Sequence, residues 1–382
     1  MPLSEFQIFV KPVGATCNLS CSYCYYLEKK DLYPSKGMII MDDDILEIYI
    51  KQHIAASREE IISFSWHGGE PLLAGIEFFR KAVAMQKKFK PSGCTIINGI
   101  QTNGTLLNDE WCDFLSEEQF VVGISLDGTL KFHDTYRKTT GSGSTFNKVI
   151  HGYELLKKYG ILPEILCVVN AENVRHPLEI YGFFKQLGAK FMTFLPLVER
   201  LEGINTGVSK RSVPALEFGV FLSKIFDEWT ENDIGEIKIQ IFEEAARTAF
   251  NQEHTLCIFK ENCGGVPVIE HNGDFFSCDH YVNEANRIGN INSESLGNLL
   301  NSPRQQEFGL SKSLSLPGYC KNCEVRAMCN GECPKNRFIL TPENEPGLNY
   351  LCCGYKYFFN HCRPFIEAIS TAWKNQGAIN RD

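Results

Sequence analysis

Three cysteines, Cys17, Cys21 and Cys24, fall on one short stretch near the start of the chain, spaced C-x3-C-x2-C. The opening residues, MPLSEFQIFV, lack the basic start and small-residue cleavage site of a secretory leader. A cytoplasmic protein with reduced thiols is therefore expected, and reduced cysteines at short spacing bind metal. Three ligands do not complete a structural zinc site, which takes four. They can hold a 4Fe-4S cluster with one iron open to an outside ligand. Zinc remains the other reading, and it needs a fourth ligand from elsewhere.

The chain carries 16 cysteines in 382 residues, and their distribution is uneven. Eight form a second group: Cys257-x5-Cys263-x14-Cys278, then Cys320-x2-Cys323-x5-Cys329-x3-Cys333, then Cys352. Eight thiols suffice for two four-ligand sites, iron–sulfur or zinc-ribbon. Cys94, Cys112, Cys167, Cys353 and Cys362 are scattered and read as small packing residues. A net charge of −8 argues against a nucleic-acid partner or an anionic lipid surface. No apolar run is long enough for a membrane span.

From Phe6 to about Val198, strand-length apolar runs alternate with helical periodicity. Strands are predicted at Gln7–Val10, Ile61–Trp66, Thr95–Ile100, Phe120–Leu126, Glu164–Val169 and Lys190–Leu195. Helices are predicted at Asp43–Ser57, Ile76–Phe89, Asn108–Leu115, Thr145–Tyr159 and Leu178–Leu187. Such β-then-α units imply parallel strands with right-handed crossovers. The expected fold is α/β, a partial (β/α)6 TIM-like barrel left open on one side. Function in such folds gathers at the C-terminal ends of strands, where the cysteine loop, Gly68–Pro71, Gln101–Gly104 and Asp127-Gly128 all fall. Pro214–Thr230 and Ile241–Asn251 read as bridging amphipathic helices. Further on, Val266–His271 and Asp274–Ser277 flank Asn272-Gly273, a tight hairpin turn. Its return strand delivers Cys278 and Asp279 side by side.

The stretch CNLSCSYC resembles the CxxxCxxC signature of radical S-adenosylmethionine (SAM) enzymes, with Tyr23 in the aromatic position. Gly68-Gly69-Glu70-Pro71 resembles that family's GGE motif, whose backbone meets the SAM amino group; glycine allows such close approach. By this resemblance Tyr23, Gly69, Ser125, Arg137 and Val198 contact SAM, Ser125 and Arg137 at ribose and carboxylate and Val198 near adenine. Read alone, the last three are a strand-end serine, a surface arginine and a core valine. The C-terminal cysteines resemble the SPASM extension, which holds two auxiliary 4Fe-4S clusters. The resemblance assigns Cys257, Cys263, Cys278 and Cys333 to the first and Cys320, Cys323, Cys329 and Cys352 to the second. It implies a radical SAM barrel over 1–205, a helical bridge over 206–256 and a SPASM domain with a C-terminal helix over 257–382.

Nearly the whole chain resembles the anaerobic sulfatase-maturating enzymes, including GGEP-x-LAG at Gly68–Gly75, VGISLDG at Val122–Gly128 and SCDHYV at Ser277–Val282. That resemblance implies oxidation of a cysteine or serine to Cα-formylglycine within a C/S-x-P-x-R segment of a sulfatase. It implies SAM and three 4Fe-4S clusters as cofactors, with flavodoxin or ferredoxin as electron donor. Asp279 matches the family's base, and partial desolvation is expected to strengthen it. Read alone it is a hairpin-end aspartate; His67 and His280 are rivals nearer the useful pKa range. His67 departs from the glutamine usual before GGEP. A SPASM maturase that crosslinks a ribosomal peptide is the alternative enzyme. A non-enzymatic iron–sulfur or zinc protein is the reading from another class.

Overall fold

The structure, a computed structural model, describes residues 6–34, 37–201, 203 and 207–379. The expected boundary between 205 and 206 lies outside the described residues. The chain forms two compact units. One takes the chain as far as Leu126, then His133–Glu164 and Gly264–Leu310; the other takes Asp127–Phe132, Ile165–Cys263 and Ser311 onward.

The first unit is built on parallel strands β1 (Phe9–Lys11), β2 (Ile61–Trp66), β3 (Thr95–Thr102) and β4 (Val121–Ser125). Their registers include Phe9↔Ser65, Trp66↔Ile100 and Gly99↔Val121. Helices Asp43–Ala56, Ile76–Phe89 and Asp109–Glu117 connect them. The first and third start where side chains stop the chain from extending. Asp42 accepts from the Ile45 amide at 2.8 Å, and Asn108 accepts from the Trp111 amide at 2.9 Å; such caps satisfy otherwise orphaned donors. Trp66, Phe64, Tyr49 and Phe79 pack as a fully buried aromatic group beneath the strands. Each such side chain contributes roughly 1.5–3 kcal/mol by leaving water.

The predicted hairpin exists as β8 (Val268–Glu270) and β9 (Asp274–Phe276), turning through Gly273 at φ +85°. Sequence reading put it in the C-terminal cysteine-rich region. The structure makes it part of the N-terminal sheet: β8 runs parallel to β1 in the register Phe9↔Val268, Val10↔Ile269, Lys11↔Glu270. The physical reason is edge pairing. Strand β1 is short and mostly buried, so its outer hydrogen-bonding edge needs a partner. Strand β10 (Arg287–Asn290) adds antiparallel to β9, giving the order β10-β9-β8-β1-β2-β3-β4 in this unit.

The second unit holds β5 (Glu164–Val169), β6 (Phe191–Pro196) and β7 (Lys238–Ile239) in that order, with β6 and β7 parallel. Helices Pro177–Gln186, Ala215–Asn232 and Gln240–Ala249 match the predicted ones to within two residues at each end. An antiparallel hairpin of β11 (Arg337–Leu340) and β12 (Pro346–Asn349) precedes a long helix, Cys352–Ile379. That helix packs on Ala215–Asn232 through two glycines: a Cβ on Gly354 would lie 2.0 Å from the Ala215 carbonyl oxygen. Among the described residues no helix is long and apolar enough to cross a membrane.

Candidate active site

Strand β1 ends at Lys11 and the chain enters the three-cysteine loop. The loop is shaped by tight turns, with Thr16 N–H donating to Val13 O and Cys24 N–H to Cys21 O. Its amides also reach the segment around Arg137: Ser20 N–H donates to Lys138 O at 2.8 Å and Ser22 N–H to Tyr136 O at 3.1 Å. Arg137 is consequently 8% exposed, and its guanidinium lies 5.5 Å from the Tyr23 ring centroid. The surface arginine of the plain sequence reading is in fact buried against the cysteine loop.

Gly68–Glu70 follow β2 and lie directly on the same loop. Gly69 N–H donates to Gly14 O, and Glu70 N–H to Thr16 O, both at 2.9 Å. A Cβ on Gly69 would stand 2.1 Å from the Thr16 carbonyl oxygen, closer than any non-bonded contact. The glycine is therefore needed for backbone packing against the cysteine loop, a reason beyond ligand approach. Glu70 is fully buried and accepts from Leu72 N–H, Thr102 Oγ1 and Asn103 N–H. Burial pushes its carboxyl up to about 7, although these hydrogen bonds pull it down.

Asn103 extends the network to sulfur. Its Nδ2 lies 3.8 Å from Cys17 Sγ and 2.9 Å from Asn18 Oδ1. The Leu19 amide also donates to Cys17 Sγ, at 3.3 Å. Burial pushes the Cys17 thiol up to about 12, and the charges of Glu70, Cys21 and Cys24 push the same way. A cation must therefore displace its proton, as metal binding to thiols requires. Ser125 ends β4 and accepts from Gln101 Nε2 at 3.2 Å. Val198 is half-buried in the second unit.

The hairpin docking brings Cys278 and Asp279 to the unit that carries the cysteine loop. Asp279 is 8% exposed, forms an ion pair with Lys11 at 2.6 Å and accepts a hydrogen bond from the Tyr25 hydroxyl. Burial alone would raise its pKa, but the charge of Lys11, then that of His280, holds the carboxyl well below the usual carboxylate range. The expected gain in basicity is thus reversed, because an ammonium at contact outweighs desolvation. The same carboxylate, after burial, helps hold the Tyr25 phenol well above its ordinary pKa. His67 stacks on Phe9 with centroids 3.8 Å apart, and burial pushes it down to about 3, with Lys11 acting in the same direction. Its ring is neutral at physiological pH. His280 contacts the Tyr25 ring at 5.0 Å.

In the second unit Cys320, Cys323, Cys329 and Cys352 line one cavity, with Tyr355 and Asn349 in its wall. Burial pushes Cys352 up to about 12, and the charges of Cys320 and Cys323 add to it. Cys352 and Cys353 both line a neighbouring groove, and of the two Cys352 also lines the cavity of the other three thiols. Cys257, Cys263 and Cys333 lie in this unit, while Cys278 lies in the other. Among the described residues no three His, Cys, Asp or Glu side chains converge tightly enough for a single metal ion. Cys112, Cys167 and Cys362 are fully buried, as packing residues should be.

Sequence reasoning missed Lys11, Tyr25 and Asn103. A lysine closing the short apolar strand Phe9–Lys11 was the available signal. Asn103 lay inside the strand-end segment Gln101–Gly104 without a role of its own, and Tyr25 carried no signal, since its significance comes only through a partner distant in sequence.

A three-cysteine loop locked onto a Gly-Gly-Glu turn at the strand ends, followed by a cysteine-rich extension, defines a radical SAM iron–sulfur protein. Residues 12–184 match the radical SAM superfamily, and residues 257–324 match the SPASM iron-sulfur cluster-binding domain. The chain is 43% identical to a serine-type anaerobic sulfatase-maturating enzyme of Bacteroides thetaiotaomicron, across 97% of this chain and 92% of that one. It is 34% identical to a cysteine-type anaerobic sulfatase-maturating enzyme of Clostridium perfringens, across 96% and 99%. Native anSMEcpe with bound AdoMet superposes with a TM-score of 0.87 at 33% identity, covering 96% of this chain and 99% of that one. The same protein with AdoMet and the Cp18Cys peptide gives 0.86. The chain belongs to the anaerobic sulfatase-maturating enzymes of the radical SAM superfamily, which are oxidoreductases.

Proposed function

We propose that this enzyme oxidises a serine or cysteine in a C/S-x-P-x-R segment of a sulfatase to Cα-formylglycine. It would use SAM and three 4Fe-4S clusters, with electrons supplied by flavodoxin or ferredoxin. The observation that carries the reading is the Lys11–Asp279 ion pair, which sets a buried, ionised carboxylate in the unit that carries the three-cysteine loop. Relatives named for serine-type and cysteine-type maturation, and a relative's structure with a bound peptide, support the substrate class.

The thiols gathered in the three-cysteine loop and around the cavity of the second unit support iron–sulfur cofactors. Cys17, Cys21 and Cys24 would hold the SAM cluster, with Tyr23, Gly69, Ser125 and Arg137, together with Val198, serving SAM. Cys257, Cys263, Cys278 and Cys333 would hold one auxiliary cluster, and Cys320, Cys323, Cys329 and Cys352 the other. Four thiols spread around a cavity suit a cluster better than a lone ion, which draws its ligands to one point. We read residues 1–205 as the radical SAM domain, 206–256 as a helical bridge and 257–382 as the SPASM domain.

When bound, SAM and the clusters would supply one-electron chemistry, removing a hydrogen atom from the target Cβ and taking up the remaining electron. Asp279 takes the hydroxyl or thiol proton. It is a weak base, but hydrogen loss from Cβ acidifies the neighbouring O–H or S–H, so a weak base is adequate. Lys11 holds the carboxylate ionised and fixed, and Tyr25 orients its second oxygen. Serine oxidation thus balances as one hydrogen atom, one proton and one electron removed. The cysteine product would further exchange sulfur for oxygen by hydrolysis.

The test is anaerobic incubation of reconstituted enzyme with SAM, reductant and paired serine and cysteine sulfatase peptides. The aldehyde registers as a mass loss of about 2 from the serine peptide or about 18 from the cysteine peptide, simple formula differences for a cofactor-driven oxidation. SAM cleavage with both peptides unchanged in mass would sink the reading.

A further inference from the structure

Two cations in the second unit stand among the cysteines without serving the chemistry described so far. Lys312 is 0% exposed. Its ammonium donates to Cys257 O at 2.9 Å and Ile258 O at 2.8 Å. Arg337 is half-buried and donates to Asn330 O, Gly331 O and Glu332 O, the carbonyls between Cys329 and Cys333. It also donates to Lys312 O at 2.6 Å, so the two residues form one connected element. Every hydrogen bond these head groups make runs to a neutral carbonyl. The Glu332 carboxylate reaches both with its charge, but its own hydrogen bonds go to Asn336 and Asn349.

Burying cations is costly, and the single Glu332 carboxylate cannot balance two of them, so a further anion should be close by. Lys312 is tied to Cys257 through its carbonyl, and the carbonyls that Arg337 gathers lie between the thiols of Cys329 and Cys333. These thiols belong to both proposed auxiliary sites. We propose that Lys312 and Arg337 form a fixed cationic bridge between the two auxiliary cluster sites, raising the reduction potential of each. The inference rests on the proposed function. It adds the means by which those clusters become able to accept the electron left by substrate oxidation. Nearby charge and hydrogen bonding are the protein's levers on cluster potential.

The test uses the full chain with Cys17, Cys21 and Cys24 replaced by alanine, so that only auxiliary signals remain. Reconstituted Lys312→Met, Lys312→Arg and Arg337→Met are compared with this parent by iron content and by redox titration followed by electron paramagnetic resonance. Lys312→Met is expected to shift a midpoint to more negative potential. At fixed ambient potential the reduced-to-oxidised ratio should fall about tenfold, ~59 mV for one electron. Arg337→Met should do the same to the second signal, while Lys312→Arg stays close to the parent. Full iron with unmoved midpoints in both methionine variants overturns the bridge. So does a Lys312→Arg shift equal to that of Lys312→Met, because then shape and not charge is responsible. If Lys312→Met loses iron, recovery of iron and midpoint in Lys312→Arg supports the bridge, and equal loss in both overturns it. A parent without auxiliary iron overturns the functional reading itself, a result distinct from all of these.

Discussion

Lys11 and Asp279 meet in an ion pair of 2.6 Å that is almost shut off from solvent. One residue closes the strand that leads into the radical-generating loop, and the other follows a proposed auxiliary-cluster ligand. The pair is possible because β8 docks on β1 in the register Lys11↔Glu270, which brings the hairpin's return strand to the same strand ends. Lys11 also lies 4.3 Å from the Tyr26 ring centroid, and Tyr26 donates to Glu270. The Asp279 carboxylate is therefore held in a closely packed setting.

Asp279→Asn should cleave SAM at close to the wild-type rate and leave the peptide unoxidised. Counting 5′-deoxyadenosine against peptide mass change checks both halves, and full product formation would remove Asp279 from the mechanism. Lys11→Met should behave differently, leaving a buried carboxylate without its counter-charge at a cost of about 3–5 kcal/mol in stability. The double variant Lys11→Met/Asp279→Asn should regain much of the lost melting temperature and none of the oxidation.

Gly69→Ala should lose iron from the N-terminal site. Its Cβ would overlap the Thr16 carbonyl oxygen at 2.1 Å, and the three nearest atoms, Thr16 O, Thr16 C and Ala15 C, are all backbone. No rotamer change relieves that, so the cysteine loop must shift away. Iron analysis of the reconstituted variant should show the deficit confined to the proposed site at Cys17, Cys21 and Cys24.

Glu70 predicts a pH dependence. Its folded pKa of about 7 lies above the unfolded value of about 4.3. Between those limits the folded state binds the extra proton, so stability falls as pH rises through that window. The stabilisation is complete below about pH 4 and absent above about pH 7, amounting to a few kcal/mol at ~1.36 kcal/mol per pKa unit. Glu70→Gln should flatten this slope in anaerobic melts. It should also be less stable at pH 8, because one of its carboxylate positions would present an amide N–H to the Asn103 donor.

Local order was legible in the sequence wherever a single segment decides its own form. The Asn108 cap and the apolar run Ile61–Trp66 give their elements directly, because a side-chain oxygen or a two-residue period acts within a few residues. The cysteine spacings were equally readable. What the sequence hid was pairing over distance. Nothing in Val268–Glu270 names β1 as its neighbour, so neither the Lys11–Asp279 contact nor its effect on the carboxylate could be foreseen. Nothing in the sequence singles out Arg337, since the carbonyls it gathers belong to a loop without regular structure.

Gly354 offers a test of how the C-terminal helix places Cys352. The helix begins at Cys352 and, two residues later, presses Gly354 onto the Ala215 carbonyl, while a Cβ on Gly219 would stand only 2.2 Å from the Gly354 carbonyl oxygen. Alanine at Gly354 must push the two helices apart, and overpacking of this kind costs about 1–3 kcal/mol or more. The start of the helix would move with it, taking Cys352 away from the cavity it shares with Cys320, Cys323 and Cys329. Gly354→Ala should therefore melt earlier and retain less iron in the C-terminal region. Gly182→Ala is the control, because it lies within a helix in the same unit with open space around its Cβ. It should gain ~0.5–1 kcal/mol from helix propensity and keep its full iron. Equal iron in the two variants would show that Cys352 is positioned by its cluster alone and not by the glycine contact.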